Sequence, residues 1–352
     1  MQTMSALRRP AVRGAVLALS AATLFGVSTP LVQRAGSGLG PCSTAALLYA
    51  GAALVGALLR QPVEREAALR RGDLPRLAWM ALFGAAIGPI ALTWGLQRTS
   101  GTSASLMLAL EALFTALLAR ALYREVMGRR IWAAMLLLLA GGVVLIIDRG
   151  AVGAAQFLGL LSVLGATVAW GLDNTLSRAL AERDPGQVVL VKATLGALAT
   201  GLLATALHEP VPSAVSAVEL LVIGATGYGA SLRLYLLAQR AFGAARTGSV
   251  FAFAPFVGAL LAIALGDRTL SWGLAAGGAL MLAGVGLHLS ESHSHEHAHE
   301  ALEHEHAHVH DDDHHGHAHD TMPAGSHSHS HRHEPLRHAH SHVPDAHHTH
   351  RH

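Results

Sequence analysis

Long apolar stretches separated by short polar ones dominate the chain as far as Leu289. Many of these stretches approach 20 residues, the length that a helix needs to cross the hydrocarbon core of a bilayer. The pattern predicts ten membrane-spanning helices, at residues 13–33, 42–60, 75–97, 100–120, 128–147, 156–180, 186–207, 215–238, 246–265 and 270–289. Turn-forming segments such as GSGLGP, ERDPG and HEPVPS separate them. The sequence therefore predicts an all-α polytopic membrane protein.

The basic residues are unevenly divided between the two sets of connections. When the N-terminus, residues 1–12, is placed in the cytoplasm, sixteen arginines lie on the cytoplasmic side, and only Arg34, Arg98, Arg149 and Arg268 lie outside. Cytoplasmic loops of membrane proteins carry such an excess of positive charge. Since the number of spans is even, we predict that both termini are cytoplasmic and that the membrane is a plasma or bacterial inner membrane.

The two halves of the apolar region resemble each other. The segment LFGVSTPLVQRA (24–35) recurs as AWGLDNTLSRAL (169–180), and QRTSGTSAS (97–105) recurs as QRAFGAART (239–247), at offsets of 145 and 142 residues. Chance similarity between helices rich in Ala, Gly and Leu is the alternative, but the matches fall in order and at a nearly constant offset. Each half holds five spans, an odd number, so the second copy is predicted to be inverted in the membrane.

These segments resemble the EamA-type transporters of the drug/metabolite transporter superfamily. The resemblance extends to LEALFTALLARALYREVMGRR, which begins at Leu110, and to its counterpart FAPFVGALLAIALGDRTLSW, which begins at Phe253. It implies two inverted five-helix repeats, here residues 13–148 and 156–289, and transport of a small metabolite. It implies no universal set of functional residues. The second half departs from the family pattern at Asp267, where a Glu is usual.

Ionisable and aromatic side chains inside the predicted spans indicate a candidate substrate cavity, because charges are costly in a bilayer unless they face a cavity or a partner. Glu111 lies mid-span and either carries a proton or bridges two helices as a neutral group. Asp173 and Lys192, the chain's one lysine, lie at similar depths, about 9–12 Å from the inner surface, and are predicted to pair. Two kinds of role are left open for several of these side chains. They either line the cavity or serve helix packing, and Lys192 and Arg233 have the further alternative of snorkelling to the membrane interface. The predicted cavity residues are Glu111, Asp173, Asn174, Lys192, Arg233, Trp170 and Tyr228.

The tail, residues 290–352, has a different composition. Of the 25 histidines, only His208 and His288 precede it. With neutral histidines its charge is −8, against +10 for the rest of the chain. So polar a segment is predicted to be disordered, and its imidazoles are good ligands for Ni, Zn, Co or Cu. The predicted metal ligands are His293, His295, His297, His299, His304, His306, His308, His310, His314, His315, His317, His319, His327, His329, His331 and His333.

Three functions compete at this stage. The first is a secondary transporter, an exporter of a small metabolite, with a cytoplasmic tail that binds metal and regulates it. The second is a divalent-metal transporter loaded by the tail, and the third is a membrane-anchored metal store or sensor. Enzyme signatures such as a phosphate-binding Gly-Lys-Ser/Thr loop or H-E-x-x-H do not occur, so we expect no enzyme, no required cofactor and no nucleic-acid partner. The expected partners are lipid, a small-molecule substrate and transition-metal ions, and a homodimer is left open.

Overall fold

The computed structural model describes residues 10–62, 65–123, 127–180, 183–242 and 244–289, and four tail segments, 293–298, 302–308, 327–333 and 337–342. The described residues contain ten helices long and apolar enough to cross a membrane, as predicted. We number them as spans 1 to 10: Val12–Ala35, Pro41–Leu58, Arg71–Leu96, Gly101–Leu122, Arg129–Gly150, Ala154–Leu180, Pro185–Ala206, Ala214–Ala241, Thr247–Ala264 and Trp272–Leu289.

Six of the spans consist of one continuous α-helix each. Their bounds are Pro10–Ala35, Pro41–Leu58, Arg129–Gly150, Ala154–Ser177, Pro185–Ala206 and Trp272–Leu289, and a 3-10 turn, Arg178–Leu180, extends the fourth of these. Local sequence explains several helix starts. Pro41 and Pro185 occupy the first helical position, where no backbone donor is needed. The Asp184 carboxylate also accepts a hydrogen bond from Gly186 N, 2.9 Å away, and so caps span 7.

The other four spans are irregular near their middles. Span 3 comprises a 3-10 turn Arg71–Asp73, α-helix Leu74–Met80, a π-helical segment Ala81–Ile87 and α-helix Gly88–Leu96. Span 8 has the same plan, with α-helix Ala214–Ile223, a π-helical segment Gly224–Ala230 and α-helix Ser231–Phe242. Spans 4 and 9 are each broken in two, into Gly101–Met107 and Leu110–Tyr123, and into Ala244–Phe251 and Ala254–Ala264. The irregularities therefore occur in two pairs of corresponding spans, one from each half.

Helix packing follows the predicted inverted repeat. Span 2 packs along span 7 and span 5 along span 10, so each of these helices contacts its own counterpart in the other half. Span 1 packs against spans 8 and 9, while span 6, its counterpart, packs against spans 3 and 4. These are the contacts that a pseudo-two-fold axis in the membrane plane produces. The structure thus confirms the fold of two inverted five-helix repeats.

Ion pairs tie the two halves together at the end of the bundle where span 1 begins, which we call the basic end. Glu66 pairs with Arg240 at 2.8 Å, and Asp73 pairs with Arg183 at 3.0 Å. Burial raises the pKa of Glu66, although the charge of Arg240 and the hydrogen bond from it oppose this rise. Glu66 lies in the connection between spans 2 and 3 and Asp73 in the first turn of span 3, and each pairs with a residue of the second half, so the basic end is closed by contacts between the repeats.

Carboxylates at helix N-termini join the halves at the opposite end. Asp267 accepts hydrogen bonds from the backbone N and Oγ1 of Thr102 at the start of span 4, at 2.9 and 2.7 Å. Burial by itself would raise the pKa of Asp267, but hydrogen bonds from Thr269 and Thr102 outweigh it and lower the pKa to about 2. Glu209 likewise accepts hydrogen bonds from the backbone N of Cys42 and Ser43 at the start of span 2. Two carboxylates of the second half therefore cap two helices of the first.

The described part of the tail consists of four short strands. Strands β1 (His293–Ala298) and β4 (Arg337–His342) pair antiparallel, as do β2 (Leu302–His308) and β3 (His327–His333). Histidine alternates with other residues along these segments with a period of two, which is the period of a strand. The prediction for the tail rested on its polar composition and did not use this period. Of the predicted ligands, His299, His310, His314, His315, His317 and His319 lie outside the described residues.

A candidate substrate cavity between the two halves

A cavity of about 60 Å³ lies between the halves, near the middle of the bundle. At roughly 10–15 Å³ per molecule, it has room for about four to six waters. Seven spans supply its walls, three from the first half and four from the second. The lining residues are Phe25, Tyr49, Ala52, Glu111, Trp170, Asp173, Asn174, Val189, Lys192, Ala193, Gly227, Tyr228, Ser231, Leu232, Tyr235 and Phe251. Transporters built from inverted repeats hold their substrates in this kind of position.

The irregular spans bring several polar groups to this cavity. Span 4 is interrupted at residues 108–109, and Glu111 lies in the first turn of the helix that follows the break. The corresponding break in span 9 follows Phe251, another lining residue. Tyr228 belongs to the π-helical segment of span 8. Breaks and π-helical turns place side chains off the register of a regular helix, and both are common at functional sites.

Two neighbouring residues of span 6 each form a polar pair with a residue of another span. Lys192 Nζ donates a hydrogen bond to Asp173 Oδ2 and forms an ion pair with it, and their side chains are only 3% and 6% exposed. The adjacent Asn174 donates from Nδ2 to Glu111 Oε1 over 2.6 Å. Span 6 thus binds span 7 of its own half through an ion pair, and span 4 of the other half through an amide–carboxyl hydrogen bond. The predicted Asp173–Lys192 pair is confirmed, and Glu111 has a neutral partner.

Gly84 in the π-helical segment of span 3 supports this arrangement. A Cβ atom at this position would lie 2.3 Å from Asp173 Cγ, so only glycine leaves room for the carboxylate. Its carbonyl oxygen accepts hydrogen bonds from Trp170 Nε1, at 2.9 Å, and from the hydroxyl of Tyr49. At Gly88, one turn on, a Cβ would lie 2.8 Å from the same indole nitrogen. These two glycines therefore position cavity side chains as well as allowing the helices to approach.

Aromatic rings form the apolar wall of the cavity. Phe25 lies at their centre, with its ring centroid 5.5 Å from that of Trp170, 5.7 Å from that of Tyr228 and 5.4 Å from that of Phe251. Tyr49 contacts Tyr228 edge to face at 5.5 Å. Such edge-to-face contacts hold each ring in one orientation. The wall is thus preorganised, and it faces the polar pairs across a small space.

Six of the seven predicted cavity residues line this space. The exception is Arg233, which lies outside the lining; its charge acts on Glu66 at the basic end. The prediction missed the aromatic lining residues Phe25, Tyr49, Tyr235 and Phe251, and Ser231, whose hydroxyl donates to Ala21 O of span 1 over 2.8 Å. The scarcity of tyrosine was a signal that the prediction did not use: the chain has four tyrosines, and three of them line the cavity.

Comparison with known proteins agrees with this architecture. A model of the EamA-like transporter family matches residues 12–147 and again residues 157–290. The chain belongs to the EamA-like transporter family. The two matches fall on the two five-span halves, and each half is thus one copy of the family's repeat. Members of this family are membrane transporters, and this EamA-like chain accordingly transports a small molecule across a membrane.

Individual relatives support the same assignment. An uncharacterized transporter of Methanothermobacter thermautotrophicus (strain Delta H) is 27% identical over 300 residues, which cover 77% of this chain and 84% of the relative. A solved structure, titled only as the crystal structure of a protein, superposes with a TM-score of 0.59 at 20% identity and covers 78% of this chain and 95% of its own. That likeness concerns the fold alone.

Proposed function

We propose that the chain is a secondary transporter whose small-metabolite substrate binds in the cavity between the halves. The observation that carries this proposal is the position of Glu111, Asp173 and Lys192 around one small space at the centre of the bundle. Ionisable groups at this depth are costly, and a helix bundle that served only as an anchor would have no use for them. The position between inverted repeats also suits access from alternate sides of the membrane.

The experiment is transport by the full-length protein in proteoliposomes, assayed in both directions with a panel of small metabolites and divalent metals. Replacing Trp170 by Leu removes one wall of the cavity and its hydrogen bond to span 3, and we expect it to reduce uptake or efflux at least about tenfold. Trp272→Leu is the matched control, because Trp272 is 93% exposed and does not line the cavity. Equal transport by both variants would count against the cavity as the substrate site.

For the tail, we propose that its histidines bind divalent transition metals and regulate the transporter. The support is compositional: neutral imidazoles are good ligands for these metals, and the −8 charge of the tail opposes the +10 charge of the remaining chain. A bound metal would reduce the attraction between the two. Binding should weaken below about pH 6, because imidazole must be neutral to bind a metal and its pKa is about 6.5.

Truncation after Ser290 tests this division of roles. The truncated chain should lose most of its bound Ni²⁺ or Zn²⁺ in equilibrium dialysis, yet keep a basal metabolite transport. A truncated protein that kept its metal would show that the sites lie elsewhere. If instead only metal ions were transported, and only by the full-length chain, the tail would be loading a metal transporter. If no compound were transported by either form, a metal store or sensor would be favoured.

A further inference from the structure

The charges that line the cavity do not balance. Asp173 and Lys192 neutralise each other, whereas the described partner of Glu111 is the neutral amide of Asn174. With all three groups ionised, the cavity carries one negative charge in excess. An uncompensated charge at this depth of a membrane protein is costly, so it favours either a proton on Glu111 or a ligand that brings one positive charge over a neutral, zwitterionic or anionic ligand.

The cavity also offers hydrogen-bond acceptors, which suit a ligand that carries N–H donors. Two lining atoms, Asp173 Oδ1 and Tyr228 Oη, are buried and have no hydrogen-bond partner among the described residues. Asp173 Oδ1 can only accept, and the phenolic oxygen can accept as well. Together with the carboxylate of Glu111 they supply three oxygen acceptors on one small space. A protonated primary amine carries three N–H donors and no acceptor, which is the complement of this set.

The remaining wall suits the rest of such a molecule. Six aromatic residues line the cavity, from spans 1, 2, 6, 8 and 9: Phe25, Tyr49, Trp170, Tyr228, Tyr235 and Phe251. Aromatic faces attract cations and pack against alkyl groups, and these attractions strengthen where water is excluded. The volume of about 60 Å³ limits the ligand to a few non-hydrogen atoms in this conformation.

We propose that the cavity selects a small organic ammonium ion, with its N–H groups on Glu111, Asp173 and Tyr228 and its alkyl part against the aromatic wall. This inference rests on the proposed function, since it names the substrate class of the same cavity. It makes Glu111 the residue that sets the charge of the substrate, and Tyr228 a residue that distinguishes a primary amine from an amine without N–H donors.

The test is titration calorimetry on the full-length protein in lipid nanodiscs near neutral pH. The probes are isobutylammonium, valine and isovalerate, which share a branched alkyl group and differ in charge. We expect isobutylammonium to bind at least about tenfold more tightly than either of the others. Glu111→Gln should weaken its binding at least about tenfold, and Tyr228→Phe, which keeps the ring, by a few-fold. Glu219→Gln is the matched control, since Glu219 is exposed on span 8 and does not line the cavity.

Tighter binding of valine would mean that Lys192 recognises a carboxylate and would overturn the inference. Unchanged isobutylammonium affinity in both cavity variants would place the amine elsewhere and overturn it as well. If Glu111→Gln fails to fold, as judged by gel filtration, Tyr228→Phe decides. The proposed function is tested separately: proteoliposomes that transport a neutral or anionic metabolite, with the Trp170 dependence described above, would uphold it while refuting the ammonium. Transport of no compound through the cavity would refute both.

Discussion

Breaking the Asp173–Lys192 ion pair from one side should destabilise the protein strongly. Lys192→Met replaces the ammonium by an apolar group of similar length and leaves a carboxylate whose side chain is 6% exposed. The lost attraction is about 5–6 kcal/mol, for unit charges about 3 Å apart at an effective dielectric constant of about 20. Partial relaxation and water entry reduce this loss, so we expect a cost of about 3–5 kcal/mol.

The double variant Asp173→Asn/Lys192→Met separates this effect from general damage to the core. It removes both charges at once, and replacing a buried ion pair by neutral groups of similar volume is often close to neutral. We therefore expect the double variant to lie within about 1–2 kcal/mol of the wild type, and to be more stable than Lys192→Met alone. The two substitutions should thus show a coupling energy of about 2–3 kcal/mol or more.

Reversible unfolding in mixed detergent micelles, followed by far-ultraviolet circular dichroism, measures four proteins under one condition: the wild type, Lys192→Met, Asp173→Asn and the double variant. The coupling energy then follows from the four free energies of unfolding. Additive effects of the two substitutions would refute the reasoning, because they would show that the two side chains do not stabilise each other. A Lys192→Met protein as stable as the wild type would refute it as directly.

Three further predictions concern single positions. Glu111→Gln should fold normally, since an amide can keep a hydrogen bond, but should flatten the pH dependence of transport in proteoliposomes; an unaltered pH profile would make Glu111 structural. Gly84→Ala should cost about 1–3 kcal/mol by overpacking and impair transport, whereas Gly165→Ala, with open space at its Cβ position, should do neither when unfolding and transport are compared. Asp267→Asn should cost about 1 kcal/mol near neutral pH by weakening the cap at Thr102. Because the pKa of Asp267 is lowered to about 2, its contribution is present above the ordinary value of 3.8 and disappears as the pH falls through about 2, and unfolding measured across this range should show the variant converging on the wild type.

The spans could be predicted because bilayer thickness imposes a length and a composition that a sequence displays directly. Span 3 illustrates the accuracy, with residues 75–97 predicted and Arg71–Leu96 observed. The inverted arrangement followed from counting alone, since five spans per half reverse the second copy. The irregular segments were not predictable in the same way. Span 4 breaks at residues 108–109 without any proline in its sequence, so the break depends on tertiary packing.

The sequence could predict only those residues of the candidate site that stand out by their charge and by their depth in the membrane. Asp173 and Lys192 could be paired because their distances from the membrane surface are similar. Phe25 and Phe251 could not be assigned, because depth does not specify which face of a helix turns towards the cavity. Arg233 was assigned to the cavity for the same reason, and it lies outside the lining. In the tail, the alternation of histidines contained the strand period, but its polar composition favoured disorder.

The two repeats are chemically different where they meet at the cavity. The contact of Gly84 with Asp173 recurs in the other half as the contact of Gly227 with Ser28, and Asp173 follows Ser28 at the repeat offset of 145 residues. At this pair of corresponding positions, the acid is therefore present in one repeat only. When a transporter of this type turns to face the other side, its two halves exchange conformations, and here they are not equivalent. We expect the inward-facing and outward-facing states to differ in free energy, so that the empty protein rests facing one side of the membrane.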